Sequence, residues 1–160
     1  MATTDILSAF TTRLNTLAFS PELPIAWPGI NFDPPSTGMW LEARFFPNEP
    51  GDLTWDVDGC LDTRGFCQVL VCYRPGTSQI SASEIADAII AHFPKSTTLD
   101  AVRVRKSPWQ SPAVDTEGRS FIPVTVPYRG ILLVAGSVEL NFVVDGGVNV
   151  VDGGIQVIST

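Results

Sequence analysis

The sequence contains few of the residues with which enzymes usually perform chemistry. His92 is the only histidine, so a zinc site that needs two histidines is excluded. There is no Gly-x-Ser-x-Gly elbow, no Walker loop and no dinucleotide-binding fingerprint. The sequence therefore predicts a protein that is not an enzyme and that holds no cofactor or metal.

Cysteine is also sparse, and its spacing excludes the common cysteine motifs. Cys60, Cys67 and Cys72 form no Cys-x-x-Cys pair. Cys67 and Cys72 are five positions apart in an extended run, so they point to opposite faces and cannot share a ligand. We interpret the three as buried free thiols of a protein made in a reducing compartment.

The sequence also has little positive charge and no apolar run long enough to span a membrane. The longest apolar stretch, residues 131–144, is shorter than the roughly 20 residues of a membrane span and is interrupted by Glu139. The first residues include Asp5 and no lysine or arginine, unlike a signal peptide. The net charge of −7 argues against nucleic-acid binding, which depends on neutralising phosphates. We therefore expect neither a membrane partner nor sequence-specific binding of nucleic acid.

What the chain does have is enough apolar residues for one core and some to spare. Its 160 residues are 44% hydrophobic and only 17% charged, with a mean hydropathy of +0.19. One domain of this length can bury a substantial core. The low proportion of charged residues favours a surface that is partly buried against other subunits.

The clearest local signal is a strand followed by a helix. Residues 64–73 are apolar on both alternating faces, which is typical of a central strand covered on both sides. After a break at residues 74–76, Ser81 and Glu84 have the spacing of a capping box. The apolar residues Ile85, Ile89 and Phe93 then recur every four positions, and Pro94 ends the predicted helix.

The N-terminal part predicts a second helix and a proline-rich arm. Residues 3–18 form an amphipathic pattern with a stripe of Ile6, Phe10, Leu14 and Leu17. Residues 22–37 combine repeated prolines with Trp27, Ile30 and Phe32, which excludes a helix or an inner strand. We interpret this segment as an extended arm whose aromatic residues pack on this chain or on a neighbouring one.

The remaining segments favour strands. Residues 38–46 alternate well enough for a strand, and residues 101–106 predict a half-buried strand with arginines outward. Residues 109–114 and 119–128 flank a turn and predict a hairpin. Its second strand contains Pro123 and Pro127, which predicts an edge or bulge position. The expected fold is α+β: a mixed or antiparallel sheet packed by two amphipathic helices.

Residues 131–160 differ in character from the rest and predict a β-rich C-terminal extension to a domain spanning residues 1–130. They contain no basic residue, and a Val-Val-Asp-Gly-Gly motif beginning at Val143 recurs at Val150. Asp-Gly between β-branched residues is a strong hairpin-turn signal. The extension has few large apolar residues, so we expect it to need the main sheet or another subunit.

Residues 52–62 are acidic and contain no basic residue, which raises two chemical hypotheses. A calcium loop fails, because the twelfth position of a loop that starts at Asp56 is Cys67 and not glutamate. An acid–base pair within this stretch would support a hydrolase, but nothing in the sequence indicates a cleft. A solvated acidic face is the better interpretation. The carboxylates are Asp52, Asp56, Asp58 and Asp62.

The opposite charge is concentrated in residues 103–106, where Arg103, Arg105 and Lys106 occur together. In one subunit the acidic and basic stretches can simply be solvated on separate faces. In a ring of identical subunits they can meet across each interface and fix its register. The predicted subunit-interface residues are Asp52, Trp55, Asp56, Asp58, Arg103, Arg105, Lys106 and Trp27.

The four tryptophans raise one further alternative. Trp27, Trp40, Trp55 and Trp109 are the kind of residue that a carbohydrate-binding or small-ligand-binding module uses. They fall on separate predicted elements, so packing in the core and at interfaces explains them better.

Four stretches of the sequence resemble the tail terminator family of long-tailed bacteriophages. They are Leu-Pro-Ile-Ala-Trp-Pro at 23–28, Met-Trp-Leu-Glu-Ala-Arg-Phe-Phe at 39–46, Arg-Gly-Phe-Cys-Gln-Val at 64–69 and Ser-Glu-Ile-Ala-Asp-Ala-Ile at 83–89. The order of predicted elements also fits, and the resemblance covers about residues 1–130. These motifs are packing signatures, so they indicate a family rather than a site.

The resemblance implies a structural virion protein of a siphovirus-like tail. Such subunits close into a ring of six on the tail tube, stop its polymerisation and offer a surface to the head–neck connector. The implied partners are further copies of this chain, the tail tube protein and the connector protein. The implied location is the neck-proximal end of the tail, assembled in the host bacterial cytoplasm. The main alternative is another neck or tail-tube subunit.

Overall fold

A computed structural model of the chain describes residues 3–53, 60–100, 102–133, 143–144, 148–151 and 154–157. It confirms the predicted α+β fold, with two helices and a large mixed sheet. The elements, in chain order, are α1 (Thr3–Asn15), β1 (Ile25–Ala26), β2 (Met39–Pro47), β3 (Gly51–Asp52), β4 (Cys60–Tyr73), α2 (Gln79–His92), β5 (Thr98–Leu99), β6 (Val102–Val104), β7 (Trp109–Gln110), β8 (Val114–Thr116), β9 (Arg119–Leu133), β10 (Val143–Val144), β11 (Val148–Val151) and β12 (Gly154–Val157).

The main sheet is organised around β4 and β9, its two longest strands. They pair antiparallel without interruption from Cys60 opposite Leu133 to Tyr73 opposite Ser120. The strand order is β1-β2-β4-β9-β6-β5, with β3 also paired to β4 and with β7 and β8 also paired to β9. Among the described strands of this sheet, β1 and β2 are the one parallel pair. The predicted central strand is confirmed, and it begins at Cys60 rather than at Arg64.

The edge position predicted for the second hairpin strand is wrong, because β9 is an interior strand. Pro123 and Pro127 are tolerated there because their backbone polar groups face away from β4. The carbonyl of Pro127 accepts a hydrogen bond from the Arg105 amide, and that of Pro123 accepts one from Ser111, each at 2.8 Å. Both acceptors therefore face away from β4, toward the breaks between β6, β7 and β8. A missing N–H on that side removes no β4–β9 hydrogen bond.

One face of the sheet is covered by both helices and forms the main core. The stripe predicted for α1 is confirmed, since Ile6, Phe10 and Leu14 are buried. From the sheet, the alternate residues of β4 and β9 enter this core, among them Val69 and Val124. This alternation is what a strand with one face under a helical layer requires. The helices thus fix which side of the sheet remains accessible.

The start of α2 predicted at Ser81 is wrong, because the helix begins three residues earlier, after Ser78. The N-cap is Ser78, whose hydroxyl accepts a hydrogen bond from the Ile80 amide at 3.2 Å. Ser81 therefore lies inside the helix and caps nothing. Ser78 has the extended backbone of an N-cap and a hydroxyl that accepts from the helix, so the helix begins after it. The buried helix residues are Ala82, Ala86 and Ile89, and Ile85 is only partly buried.

The C-terminal ends of the two helices are held together. The Arg13 guanidinium donates to the backbone carbonyl of His92 through Nε at 3.0 Å and Nη2 at 2.7 Å. The His92 ring in turn lies 2.8 Å from the Arg13 carbonyl. The rings of Phe10 and Phe93 stack beside this contact with centroids 5.3 Å apart. A cation at a helix C-terminus also interacts favourably with the helix dipole.

The proline-rich arm packs on its own chain. Its residues 25–26 form β1 against β2. Trp27 is half-buried against the main core, and Phe32 packs against Trp40 on the opposite side of the sheet. Ile30 remains exposed. The aromatic residues of the arm thus help to close the edge of the sheet at β2.

The C-terminal region is β-rich, as predicted. Strands β10, β11 and β12 form a separate three-stranded antiparallel sheet. The Asp-Gly residues of the two predicted turns lie outside the described residues. Strand β9 continues to Leu133, so the predicted division of the chain at residue 130 stays a prediction.

Candidate subunit interface

The side of the sheet opposite the helices is the candidate interface, and we call it the open face. It carries the other alternate residues of the long strands, including Trp40, Phe66, Leu70 and Phe121. The arm covers the part of it nearest β2, where Phe32 packs on Trp40, Leu70 and Cys72 and the Pro35 carbonyl accepts from Arg74. Charged residues occupy much of the remainder, so the open face combines apolar and ionic side chains.

The most strongly bonded group on the open face is the carboxylate of Asp62. Its side chain is only 4% exposed, yet it lies between the guanidinium groups of Arg64 and Arg129. Arg64 donates through Nε at 2.7 Å and also through Nη2. Arg129 donates through Nε at 2.8 Å and Nη2 at 3.1 Å. Hydrogen bonds from Arg64 and then Arg129 hold the pKa of Asp62 well below its ordinary value.

A second ionic cluster lies nearer the arm. Glu42 accepts hydrogen bonds from Arg44 at 2.8 and 2.7 Å and from Arg119 at 3.1 Å. Beside it, the Arg74 guanidinium lies 5.3 Å from the centre of the Trp40 ring. In both ionic clusters a single carboxylate is shared by two arginines. The open face therefore carries more positive than negative charge, although the whole chain is acidic.

The basic residues predicted from the sequence lie near the Asp62 cluster. Val102 and Val104 are buried and Arg103 is exposed, as predicted, and Arg103 lies directly opposite Arg129. Arg105 is also exposed. Lys106 instead places its ammonium 4.4 Å from the centre of the Trp109 ring. The structure thus brings Arg103 to the open face, where the sequence indicated only an outward direction.

The acidic and tryptophan residues predicted at the interface have different outcomes in the structure. Asp52 is described and exposed, on β3. Trp55, Asp56 and Asp58 lie outside the described residues, so their part in an interface stays a prediction. Trp27 packs against this chain's own core. That contact explains its burial without a second subunit.

Three residues of the site were missed by sequence reasoning: Asp62, Arg64 and Arg129. Asp62 was grouped with the solvated acidic residues, whereas it is buried between arginines. The pairing of β4 with β9 brings Arg64 and Arg129 together across 65 positions of sequence. The alternation of residues 62–68 was a usable signal, since it assigns Asp62 and Arg64 to one face.

The alternative hypotheses find little support in the described geometry. Asp52 is opposite Leu61, so it lies on the other face of the sheet from Asp62 and the two do not form a carboxylate pair. Trp27 and Trp40 line one pocket beside the arm, but Trp109 on β7 is not part of it, so the three tryptophans do not form one groove. Within the described residues, no group of three or more histidine, cysteine or carboxylate side chains could hold a metal ion.

Cys67 and Cys72 are buried, as predicted, whereas Cys60 is only partly buried, contrary to the prediction. Cys67 lies in the helix-side core and Cys72 on the open-face side, on opposite faces as predicted. Burial raises the pKa of both thiols, that of Cys72 to about 11. A thiol with a raised pKa is a poor nucleophile at neutral pH.

No helix among the described residues is long and apolar enough to cross a membrane.

These features define a class: a small α+β protein with one face of its sheet under two helices and the other face partly covered by an extended arm. The comparisons with known proteins give the family. A family model described as "Phage tail terminator protein" matches residues 5–128. The chain therefore belongs to the phage tail terminator family, whose members are structural components of the virion.

The fold has a relative among solved structures. One solved protein chain is 28% identical and aligns over 85% of this chain and 99% of its own length, with a TM-score of 0.65. No curated protein matches. Because nearly all of the solved chain but not all of this one is aligned, this chain has additional residues relative to that structure.

Proposed function

We propose that this protein forms a closed ring, of six copies, that caps the phage tail tube. The ring stops tube polymerisation and presents the surface to which the head–neck connector binds. Its place is the neck-proximal end of a siphovirus-like tail. The observation that carries this proposal is the family match over residues 5–128, which includes the whole helix-covered part of the main sheet.

The distribution of charge supports association between different patches of identical subunits. The exposed carboxylate of Asp52 lies on β3, beside the β2 edge of the sheet, whereas Arg103 lies on β6 toward the β5 edge. Two different patches that bind each other form a heterologous interface, which closes into a ring when the rotation per subunit is right. The same arrangement without closure would give an open polymer.

The exposed apolar residues support burial by other proteins. Phe46, Trp109 and Ile131 are all exposed on the open face. Aromatic and arginine side chains are enriched at protein interfaces, whereas lysine is depleted. A second candidate function, another neck or tail-tube subunit, differs in outcome: it predicts stacking without limit.

Light scattering on the purified protein over a concentration series tests the ring. We expect one discrete species of six chains, or a monomer that binds only at the ends of purified tail tubes. Polymers that lengthen with concentration would contradict capping and favour a tube-like subunit. A monomer that does not bind tubes at all would contradict both structural roles.

A further inference from the structure

Three arginines form one line across the open face. Arg64 on β4 lies directly opposite Arg129 on β9, and Arg129 lies directly opposite Arg103 on β6. Adjacent strands are about 4.8 Å apart, so the line spans roughly 10 Å. We call these three residues the arginine row. Like charges directly opposite one another are destabilising within a sheet, so this row needs a compensating anion.

Asp62 compensates only part of the row and also positions it. The carboxylate binds Nε and Nη2 of both Arg64 and Arg129. Among the described residues, Nη1 of neither arginine has a hydrogen-bond partner, and Arg103 has no ion-pair partner. The side chains of Arg64 and Arg129 are 50% and 49% exposed. One buried carboxylate therefore holds two guanidinium groups in place with donors still available to a further anion.

The exposed Asp52 carboxylate of the same chain cannot supply that anion, because it lies on the other side of the sheet. Asp52 is directly opposite Leu61 on β4. Leu61 shares its face with Cys67, which belongs to the helix-side core. The Asp52 side chain therefore leaves the sheet on the helix side, while the arginine row leaves it on the other. Contact between them requires two copies of the chain.

The surroundings of both patches favour a protein contact over a nucleic acid. Ile131, 59% exposed, lies beside Asp62 on the open face, and exposed Leu53 follows Asp52. An apolar group next to each charged patch suits an interface that excludes water. The net charge of −7 repels a polyanion at long range. The acidic edge, defined here as Glu49 and Asp52, provides carboxylates with no basic residue nearby in sequence.

We propose that the arginine row of one subunit binds the acidic edge of a second copy, with Asp62 as the positioning residue. This inference rests on the proposed ring and assigns its contact surfaces. It extends the predicted pairing through the basic stretch at residues 103–106 to a site in which Arg64 and Arg129 take part. Because the two patches differ, each subunit uses its row on one side and its edge on the other.

A charge-exchange experiment tests the pairing. Arg103→Glu and Asp52→Arg each place like charges at the proposed contact, so each variant alone should lose association at least tenfold. A one-to-one mixture of the two variants should associate again, because every interface of an alternating ring then pairs opposite charges. Both positions are exposed, so folding should be unaffected, and thermal unfolding of each variant checks this.

Glu84→Lys is the matched control, because it reverses an exposed charge on α2 beside Met39, which pairs with Tyr73 at the end of β4 opposite to Arg64 and Asp52. We expect it to associate like the parent chain. Association is measured by light scattering in solution and by chemical cross-linking on purified tail tubes. Salt should weaken the parent contact, since it is ionic and partly exposed.

The outcomes separate this inference from the ring itself. If the parent chain associates and Arg103→Glu does so equally well, the proposed pairing is wrong and the ring stands. If both single variants lose association and the mixture does not recover it, the two patches do not contact each other. If the parent chain associates neither in solution nor on tubes, the ring is wrong and the pairing falls with it.

Discussion

At Gly65 the sheet leaves no space for a side chain. A Cβ atom there would lie 2.6 Å from both the Phe46 carbonyl oxygen and the Cζ atom of the Tyr128 ring. Tyr128 is buried and stacks on Phe45 with ring centroids 5.7 Å apart. The tyrosine ring therefore fills the position that a residue larger than glycine would need.

We predict that Gly65→Ala lowers the free energy of unfolding by about 1–3 kcal/mol, the usual cost of overpacking a core. Gly51→Ala is the control, because a Cβ at Gly51 meets nothing within 4 Å. Urea denaturation of the two variants measures the difference. Equal denaturation midpoints would show that Tyr128 moves aside without cost.

Asp62 gives the stability a defined dependence on pH. Hydrogen bonds from Arg64 and Arg129 lower its folded-state pKa below the ordinary value of 3.8. A lowered folded-state pKa contributes stability that is complete above the unfolded-state pKa and is lost as pH falls through the folded-state pKa. The parent protein should therefore be more stable than Asp62→Asn at pH 7. That advantage should shrink progressively as the pH falls below 3.8.

Chemical denaturation of both proteins at a series of pH values measures this gap directly. The gap isolates Asp62 because the other carboxylates are common to both proteins. A gap that stays constant from pH 7 to pH 2 would mean that the ion pairs with Arg64 and Arg129 do not stabilise the folded chain.

At the scale of the elements, the start of α2 shows how local signals compete. Two serines near this start, Ser78 and Ser81, are both good N-cap residues, and the sequence favoured Ser81 because Glu84 completes a capping box. The structure uses Ser78. Residues 79–81, which the earlier start adds to the helix, are exposed or only partly buried, so the start is set by the hydrogen bond from the Ile80 amide to Ser78 and not by burial.

Alanine substitutions at the two serines distinguish these starts. Ser78→Ala should lower the free energy of unfolding by about 1 kcal/mol, because the Ile80 amide loses its acceptor. Ser81→Ala should have little effect or stabilise slightly, since alanine is the better helix former inside a helix. Thermal or chemical unfolding checks both, and the reverse order of effects would place the cap at Ser81.

Elements with a strong hydrophobic periodicity could be predicted from the sequence. Features that depend on contacts between residues distant in sequence could not. The α1 stripe and the double-sided pattern of β4 gave the two layers correctly. The proline rule failed for β9, because it does not say on which side of a strand the missing N–H lies. The sequence also did not predict the Asp62 cluster. Arg129 is far from Asp62 in sequence and comes close to it only through the pairing of β4 with β9.

At the scale of the whole molecule, the sheet separates two kinds of surface. The helix side is occupied by the chain's own core, while the open face combines exposed apolar residues with an excess of arginine. An acidic chain with one locally basic face can bind copies of itself in a head-to-tail order. That asymmetry suits a ring better than a two-fold dimer, in which the same patch would meet itself.

The effect of this protein on the growth of tail tubes is the most direct test of a terminator role. Purified tail tube subunits are polymerised with and without this protein, and tube lengths are measured by electron microscopy. If the protein is a terminator, adding it shortens the tubes in proportion to its concentration, and it is found only at tube ends. Tubes of unchanged length, or protein distributed along their sides, would contradict a terminator role.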